Sequence, residues 1–103
     1  MQAESNSAAP DQICQTWWLY LLDCKHRRTY AGIALDVRAR FELHASGKGA
    51  KFTRANPPLT ILGAKSFATK NEALRAEIQL KALTREQKFA WAKENAAPVL
   101  PAG

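Results

Sequence analysis

Two short strand-forming segments joined by a basic connection constrain this chain more than any other feature. Residues 17–22 form an unbroken apolar and aromatic run, which is typical of a strand buried on both faces. Residues 29–33 are rich in β-forming side chains, and the spacing of the two segments predicts a hairpin. Gly32 is unexpected there, because glycine weakens a strand and often marks a close approach to its backbone. Tyr20 and Tyr30 lie near one another if the hairpin register puts them on one face of the sheet. They are then either packing residues or part of an active site.

The segment after the hairpin has the signals of a helix followed by a loop. Asp36 is predicted to cap a helix whose apolar stripe is formed by Val37, Phe41 and Ala45. Residues 47–58 predict a glycine-rich, basic loop that ends in two prolines.

The second half of the chain predicts one strand and two helices. The strand covers residues 59–64. Thr69 and Glu72 match a capping box, as do Thr84 and Gln87, and they predict helices that run to about residues 82 and 94. The resulting order, β-β-α-β-α-α, indicates an α+β fold with helices packed on a small sheet.

Composition divides the chain into three parts. Residues 1–16 predict a disordered leader, residues 17–94 a single folded domain and residues 95–103 a disordered tail.

The sequence has no apolar run of membrane-spanning length and no secretory signal. Its two cysteines are too few for a disulfide framework or a zinc site. These features predict a cytoplasmic protein that does not enter a membrane.

The positive charge is concentrated in one part of the chain. The 103 residues carry a net charge of +6, and residues 25–54, with eight basic and two acidic side chains, account for all of it. This distribution predicts either a polyanion partner or a solvated basic face. Residues 47–54 alternate glycines with basic and aromatic side chains, which suits a nucleic-acid backbone but lacks the spacing of a P-loop. The basic side chains expected to contact a nucleic acid are Lys25, Arg27, Arg28, Arg38, Lys48, Lys51 and Arg54.

Two predicted helices carry further candidate side chains. Arg40 and His44 are four residues apart and therefore share one helix face. They present either a functional pair, in which a fixed cation stands beside a group that titrates near neutrality, or an ordinary solvated helix face. Glu77 lies at the edge of an apolar stripe. It is either a functional carboxylate or the partner of Lys81 in an i,i+4 ion pair.

The order and spacing of these elements resemble the GIY-YIG nuclease superfamily, and more narrowly its small stand-alone bacterial members. The resemblance covers residues 17–94, and its first motif has tryptophan and leucine where the family has glycine and isoleucine. The second motif has alanine for isoleucine, and both tyrosines are kept. The matching stretches are Trp18-Leu19-Tyr20, Tyr30-Ala31-Gly32, residues 36–41 with His44, Gly47-Lys48-Gly49-Ala50-Lys51, Ala73-Leu74-Arg75-Ala76-Glu77 and Leu83-Thr84-Arg85.

This resemblance implies a three-stranded antiparallel sheet flanked by helices, and metal-dependent hydrolysis of DNA phosphodiester bonds in repair or processing. By position, the implied catalytic residues are Tyr20, Tyr30, Arg40, His44 and Glu77. Tyr20 is implied as the general base assisted by His44, Tyr30 as a positioning group, and Arg40 as the cation that offsets phosphate charge. Gly32 is expected to keep side-chain bulk away from a phosphate beside Tyr30.

The resemblance also implies a cofactor. Glu77 is the implied ligand of one Mg²⁺ or Mn²⁺ ion, held tightly only with substrate because Mg²⁺ keeps most of its waters. RNA stays open as a substrate, and so does an unknown protein partner for targeting. The alternative function is a non-catalytic or weakly catalytic nucleic-acid-binding module.

Overall fold

The computed structural model describes residues 16–96. The predicted leader and tail fall outside this range, apart from Thr16, Asn95 and Ala96. Within it, a three-residue turn of 3-10 helix, Lys25–Arg27, joins the first two strands. The strands are β1 (Trp17–Cys24), β2 (Arg28–Ala34) and β3 (Pro58–Phe67), and the α-helices are α1 (Val37–Ala45), α2 (Lys51–Ala55), α3 (Lys70–Lys81) and α4 (Arg85–Glu94).

The three strands form one antiparallel sheet in the order β2-β1-β3. β1 is the central strand, and its residues 19–22 are buried without interruption. Helices cover both faces of the sheet, so a central strand needs apolar side chains on both sides rather than alternation. The predicted α+β fold, with its β-β-α-β-α-α order of main elements, is confirmed.

The alternating side chains of β1 divide the core into two clusters, one on each face of the sheet. The first cluster contains the even-numbered side chains of β1, and the second contains the odd-numbered ones. The first is Tyr20, Leu22, Cys24, Ala34, Val37 and Ala64; the second is Leu19, Leu21, Ala31, Leu80 and Ala92. No helix within residues 16–96 has the length and hydrophobicity to span a membrane.

The helices begin where the sequence predicts, because their caps are local. The Asp36 carboxylate accepts a hydrogen bond from the Ala39 amide at 3.0 Å, and α1 follows. Thr69 caps α3 in the same way. Thr84 and Gln87 complete a reciprocal capping box at the start of α4.

Three predictions for the middle of the chain are wrong. Residues 47–58 are not a continuous loop, since α2 forms within them around hydrogen bonds to the Ala50 carbonyl. β3 runs on to Phe67 rather than ending at residue 64, because it pairs with β1 as far as Trp17. The buried stripe of α1 ends in His44, and Ala45 is exposed.

The turn between β1 and β2 contains two residues in the left-handed region. His26 has φ of 65° and Arg27 has φ of 57°, a conformation that glycine adopts without strain. Three hydrogen bonds hold this turn: the Lys25 amide donates to the Pro57 carbonyl, the His26 side chain pairs through Nδ1 with Asn56 Oδ1, and Arg85 Nη1 donates to the Arg27 carbonyl. The turn is thereby attached both to the segment that follows α2 and to the start of α4.

We expect Arg27→Gly to be more stable than Arg27→Ala by about 1 kcal/mol, because only glycine relieves the left-handed strain. Both variants lose the same cation, so alanine is the matched control. Thermal unfolding should show a melting temperature higher by ~4–8 °C for the glycine variant. Equal melting temperatures would contradict a strained turn.

Candidate active site

The hairpin register brings Tyr20 and Tyr30 to the same face of the sheet. Tyr20 pairs with Gly32, and Leu22 pairs with Tyr30, so the tyrosines are diagonal neighbours. Their ring centroids are 6.4 Å apart. Tyr20 is 1% exposed, whereas Tyr30 is only partly buried. The two phenols therefore meet, but they sit in different environments.

Gly32 makes room for Tyr20 rather than for a ligand. A Cβ atom at Gly32 would lie 2.5 Å from Tyr20 Oη and 2.8 Å from Cζ. The Tyr20 ring therefore fills the space that Gly32 is expected to leave for a phosphate beside Tyr30. The expected reason for Gly32 is therefore wrong, because this glycine accommodates a protein side chain and not a ligand.

His44 connects this sheet face to α1. It is 2% exposed, and its Nε2 lies 3.1 Å from Tyr20 Oη. Its ring centroid is 4.8 Å from that of Tyr30. The interpretation of Arg40 and His44 as one solvated helix face is thus wrong for His44, which points into the core beside both tyrosines.

Thr53 of α2 fixes the tautomer of His44. The Thr53 hydroxyl donates to the Ala50 carbonyl at 2.9 Å, so its oxygen is left to accept from His44 Nδ1, 2.8 Å away. Nδ1 therefore carries the ring proton, and Nε2 accepts the Tyr20 hydroxyl. The Ala50 amide also approaches Nδ1, but at 3.4 Å this contact is too weak to reverse the assignment.

Thr53 is a site residue that the sequence did not reveal. It is fully buried, although the sequence predicts a loop for its segment. Gly49 is a second one, since a Cβ atom there would collide with His44 Nδ1. The spacing from His44 to Gly49 and Thr53 was the available signal, but it has meaning only once α2 is known to fold back on α1.

Thr53, His44 and Tyr20 form a hydrogen-bonded chain that we call the relay. Burial and charge set the protonation states of its His44 and Tyr20 side chains. Burial raises the pKa of Tyr20 far above its ordinary value, and Tyr30 adds to the rise. The Arg40 charge lowers the Tyr20 pKa, and the Glu77 charge raises it. Burial, followed by Arg40, lowers the pKa of His44, so the imidazole is neutral at neutral pH. In the free protein the Tyr20 hydroxyl therefore keeps its proton and donates a hydrogen bond to the neutral imidazole of His44.

Arg40 lies at the edge of the site, on the exposed side of α1. Its charge influences both Tyr20 and His44. It also lines an open groove of about 270 Å³ between α1 and the ends of the adjoining strands. Arg40 is thus an exposed cation beside the buried Tyr20–His44 pair.

Glu77 of α3 forms the i,i+4 ion pair with Lys81, which is one of the two interpretations that the sequence leaves open. Its side chain is 18% exposed, and Oε2 forms an ion pair with Lys81 Nζ at 3.2 Å. Its charge also acts on Tyr20. Within residues 16–96, no three or more His, Cys, Asp or Glu side chains group into a site that could hold a metal by themselves.

The expected nucleic-acid contacts are all exposed and form two main groups. Lys25, Arg27 and Arg28 surround the strained turn, while Lys48, Lys51 and Arg54 flank or belong to α2. The turn is hydrogen-bonded to Asn56 and Pro57, so the two groups are neighbours. Arg38 lies on α1 and has an interaction of its own. Phe52, 37% exposed, packs against Tyr30 with ring centroids 5.8 Å apart.

A β-hairpin followed by a helix, with two tyrosines and a histidine meeting on one sheet face and an arginine at its edge, defines a GIY-YIG type of domain. The family model of the GIY-YIG catalytic domain matches residues 16–90, and the chain belongs to this family of nucleases. The resemblance of the sequence to the GIY-YIG superfamily is therefore confirmed.

Relatives of similar size align with most of this chain. The UPF0213 protein H16_B0156 of Cupriavidus necator is 52% identical over 75 residues, covering 73% of this chain and 82% of that protein. The UPF0213 protein XAC3202 of Xanthomonas axonopodis pv. citri is 47% identical, covering 73% and 74%. The solution NMR structure of the UPF0213 protein BH0048 from Bacillus halodurans has 37% identity and a TM-score of 0.50, covering 82% of this chain and 89% of that one. The compact domain is thus shared, and the names state no activity.

We expect Gly32→Ala to destabilise the domain by about 1–3 kcal/mol, because the new methyl group overlaps a buried phenol. The cost should be smaller in a Tyr20→Phe background, where the closest atom, Oη, is absent. A double-mutant cycle measured by urea unfolding gives the comparison. If Gly32→Ala costs the same in both backgrounds, the contact with Oη does not explain the glycine.

We expect Thr53→Val to destabilise the domain by about 1–3 kcal/mol, because His44 Nδ1–H is left buried without an acceptor. Thr53→Ser keeps the hydroxyl and serves as the control. ¹⁵N chemical shifts of the imidazole should show the Nδ1–H tautomer in the parent and in the serine variant. An unchanged tautomer and stability in the valine variant would argue against Thr53 as the group that orients His44.

Proposed function

We propose that this protein is a DNA endonuclease that hydrolyses phosphodiester bonds with the help of one divalent cation. The observation that carries the proposal is the hydrogen bond from Tyr20 Oη to a neutral His44 in a domain of the GIY-YIG family. Hydrolysis needs a base for the attacking water and positive charge for the phosphate, and the residues around this bond offer both.

Tyr20 is the proposed general base, and His44 is its proton acceptor. A phenol with a raised pKa is a poor base while it keeps its proton. His44 Nε2 is placed to take that proton at 3.1 Å, and Thr53 stabilises the ring that receives it. Arg40 favours the phenolate, because its charge opposes the rise in the Tyr20 pKa. The base is therefore activated by its neighbours rather than by its intrinsic pKa.

Tyr30 and Arg40 are the proposed contacts to the substrate. Tyr30 is partly buried and packs against His44, so it can position the water or the phosphate at the mouth of the relay. The exposed Arg40 guanidinium would offset charge that develops on the non-bridging oxygens. Lys25, Arg27, Arg28, Arg38, Lys48, Lys51 and Arg54 are the proposed contacts to the rest of the DNA backbone.

Glu77 is the residue that would hold the cation. A lone, partly buried carboxylate fits Mg²⁺ or Mn²⁺, which commonly bind one or two carboxylates together with substrate phosphates rather than a dedicated protein cage. When bound, the ion supplies further positive charge to the phosphate oxygens. Lys81 Nζ, which pairs with Glu77 Oε2, competes with the ion for this carboxylate.

A nucleic-acid-binding module with little or no catalysis is the second candidate. The Glu77–Lys81 ion pair favours it, because the lysine competes with a metal for the carboxylate. This candidate uses only the basic surface around the turn and α2. It also fits a protein whose target is selected by an unknown partner, and a cytoplasmic location suits both candidates.

We expect Glu77→Ala to lower the cleavage rate by ~100-fold or more, through loss of electrostatic stabilisation, while Lys81→Ala keeps or raises it. The measurement is cleavage of supercoiled, nicked, branched and single-stranded DNA, and of RNA, with Mg²⁺, Mn²⁺ or EDTA. Lys81→Ala breaks the same ion pair, so it separates that pair from the function of the carboxylate.

The binding-module candidate gives a different result. It requires that no substrate be cut, that binding fall steeply with salt, and that Glu77→Ala bind as the parent does. Cleavage by Glu77→Ala at the parent rate would contradict the proposed metal ligand.

A further inference from the structure

An apolar groove lies beside Arg40 and has no part in the relay described above. We call it the Trp17 groove: it has a volume of about 270 Å³, and its walls include Trp17, Leu35, Ala39, Arg40 and Leu43. Trp17 begins the central strand, Leu35 follows the second strand, and the other three belong to α1. The groove therefore opens where the sheet and α1 diverge, next to the proposed phosphate contact.

The groove combines exposed apolar surface with nearby positive charge. Leu35 is 44% exposed and Leu43 is 42% exposed, although they flank a buried core. The Lys70 ammonium lies 5.2 Å from the centroid of the Trp17 ring. Asp36 is an acid in the lining, but its Oδ1 is already engaged by the Ala39 amide as the helix cap. The surroundings thus suit a ligand that is flat and apolar at one end and anionic at the other.

We propose that the Trp17 groove binds the nucleobase of a nucleotide whose phosphate contacts Arg40. This inference rests on the proposed function, because it assumes that Arg40 meets a nucleic-acid phosphate. A sugar joins each base to its phosphate, so an aromatic, apolar groove directly beside a cation matches both parts of one nucleotide. Stacking on an aromatic ring is indifferent to base identity, since every base has a π face. A base within a duplex is covered by its neighbours, so the occupant is an unpaired or displaced base.

The test compares two probes that differ only in their bases. One is a fluorescent twelve-nucleotide oligothymidylate, and the other is a strand of twelve abasic sugar-phosphates with the same charge. Binding of the full-length protein is measured by fluorescence anisotropy in EDTA. We expect the parent to prefer the thymidylate, and Trp17→Ala to weaken thymidylate binding roughly 5- to 100-fold while abasic binding is unchanged.

Matched variants separate stacking from loss of structure. Trp17→Phe keeps an aromatic ring and should retain most of the preference. Leu43→Ser changes an exposed wall residue of the groove and should reduce it. Leu59→Ser, at a leucine that is 56% exposed on β3 and outside the groove, should leave it intact.

The outcomes distinguish this inference from the nuclease itself. Equal binding of both probes by the parent, no binding of either, or an unchanged preference in both Trp17→Ala and Leu43→Ser would overturn the nucleobase site. The proposed function is judged separately by metal-dependent cleavage. A protein that cuts DNA without preferring bases overturns only the groove assignment, whereas one that prefers bases but never cuts supports the groove and overturns the nuclease.

Discussion

The hydrogen bond between Tyr20 and His44 is the interaction on which the rest of the site depends. It joins the central strand to α1 inside the core, and both side chains are almost fully buried. The bond can form only because Gly32 leaves space for the phenol and Gly49 leaves space for the imidazole. Two glycines and one buried pair thus determine how closely the helix approaches the sheet. A buried polar pair is costly unless every member is satisfied, and Thr53 supplies the last partner.

The charges around this pair are arranged so that it stays neutral in the free protein. Burial raises the pKa of Tyr20 and lowers the pKa of His44, which keeps the phenol protonated and the imidazole unprotonated. Arg40 acts on both groups and favours the phenolate as well as the neutral imidazole. Proton transfer therefore creates a pair of opposite charges that Arg40 influences in opposite directions. An anion that offset the Arg40 charge would therefore change both pKa values at once.

The sequence predicted the parts of this structure that depend on neighbouring residues and missed those that depend on distant contacts. The caps formed by Asp36, Thr69 and Thr84 are local, and the helices start where those caps predict. The family resemblance also gave the fold and both tyrosines. Thr53 was missed because its partner, His44, is nine residues away and meets it only through the fold of α2. His44 is polar, so no hydrophobic pattern could show that it, rather than Ala45, completes the buried stripe of α1.

The ion pair between Glu77 and Lys81 does not conflict with a role for Glu77 in binding a cation. Lys81 is 56% exposed, and i,i+4 pairs of this kind contribute only about 0.3–0.5 kcal/mol. A divalent ion that also contacts a substrate phosphate interacts with a carboxylate far more strongly than that, so the lysine can be displaced. In the protein without a bound cation, the positive charge of Lys81 partly offsets the negative charge of Glu77, which raises the pKa of Tyr20. The ion pair is therefore compatible with the proposal that Glu77 holds a cation.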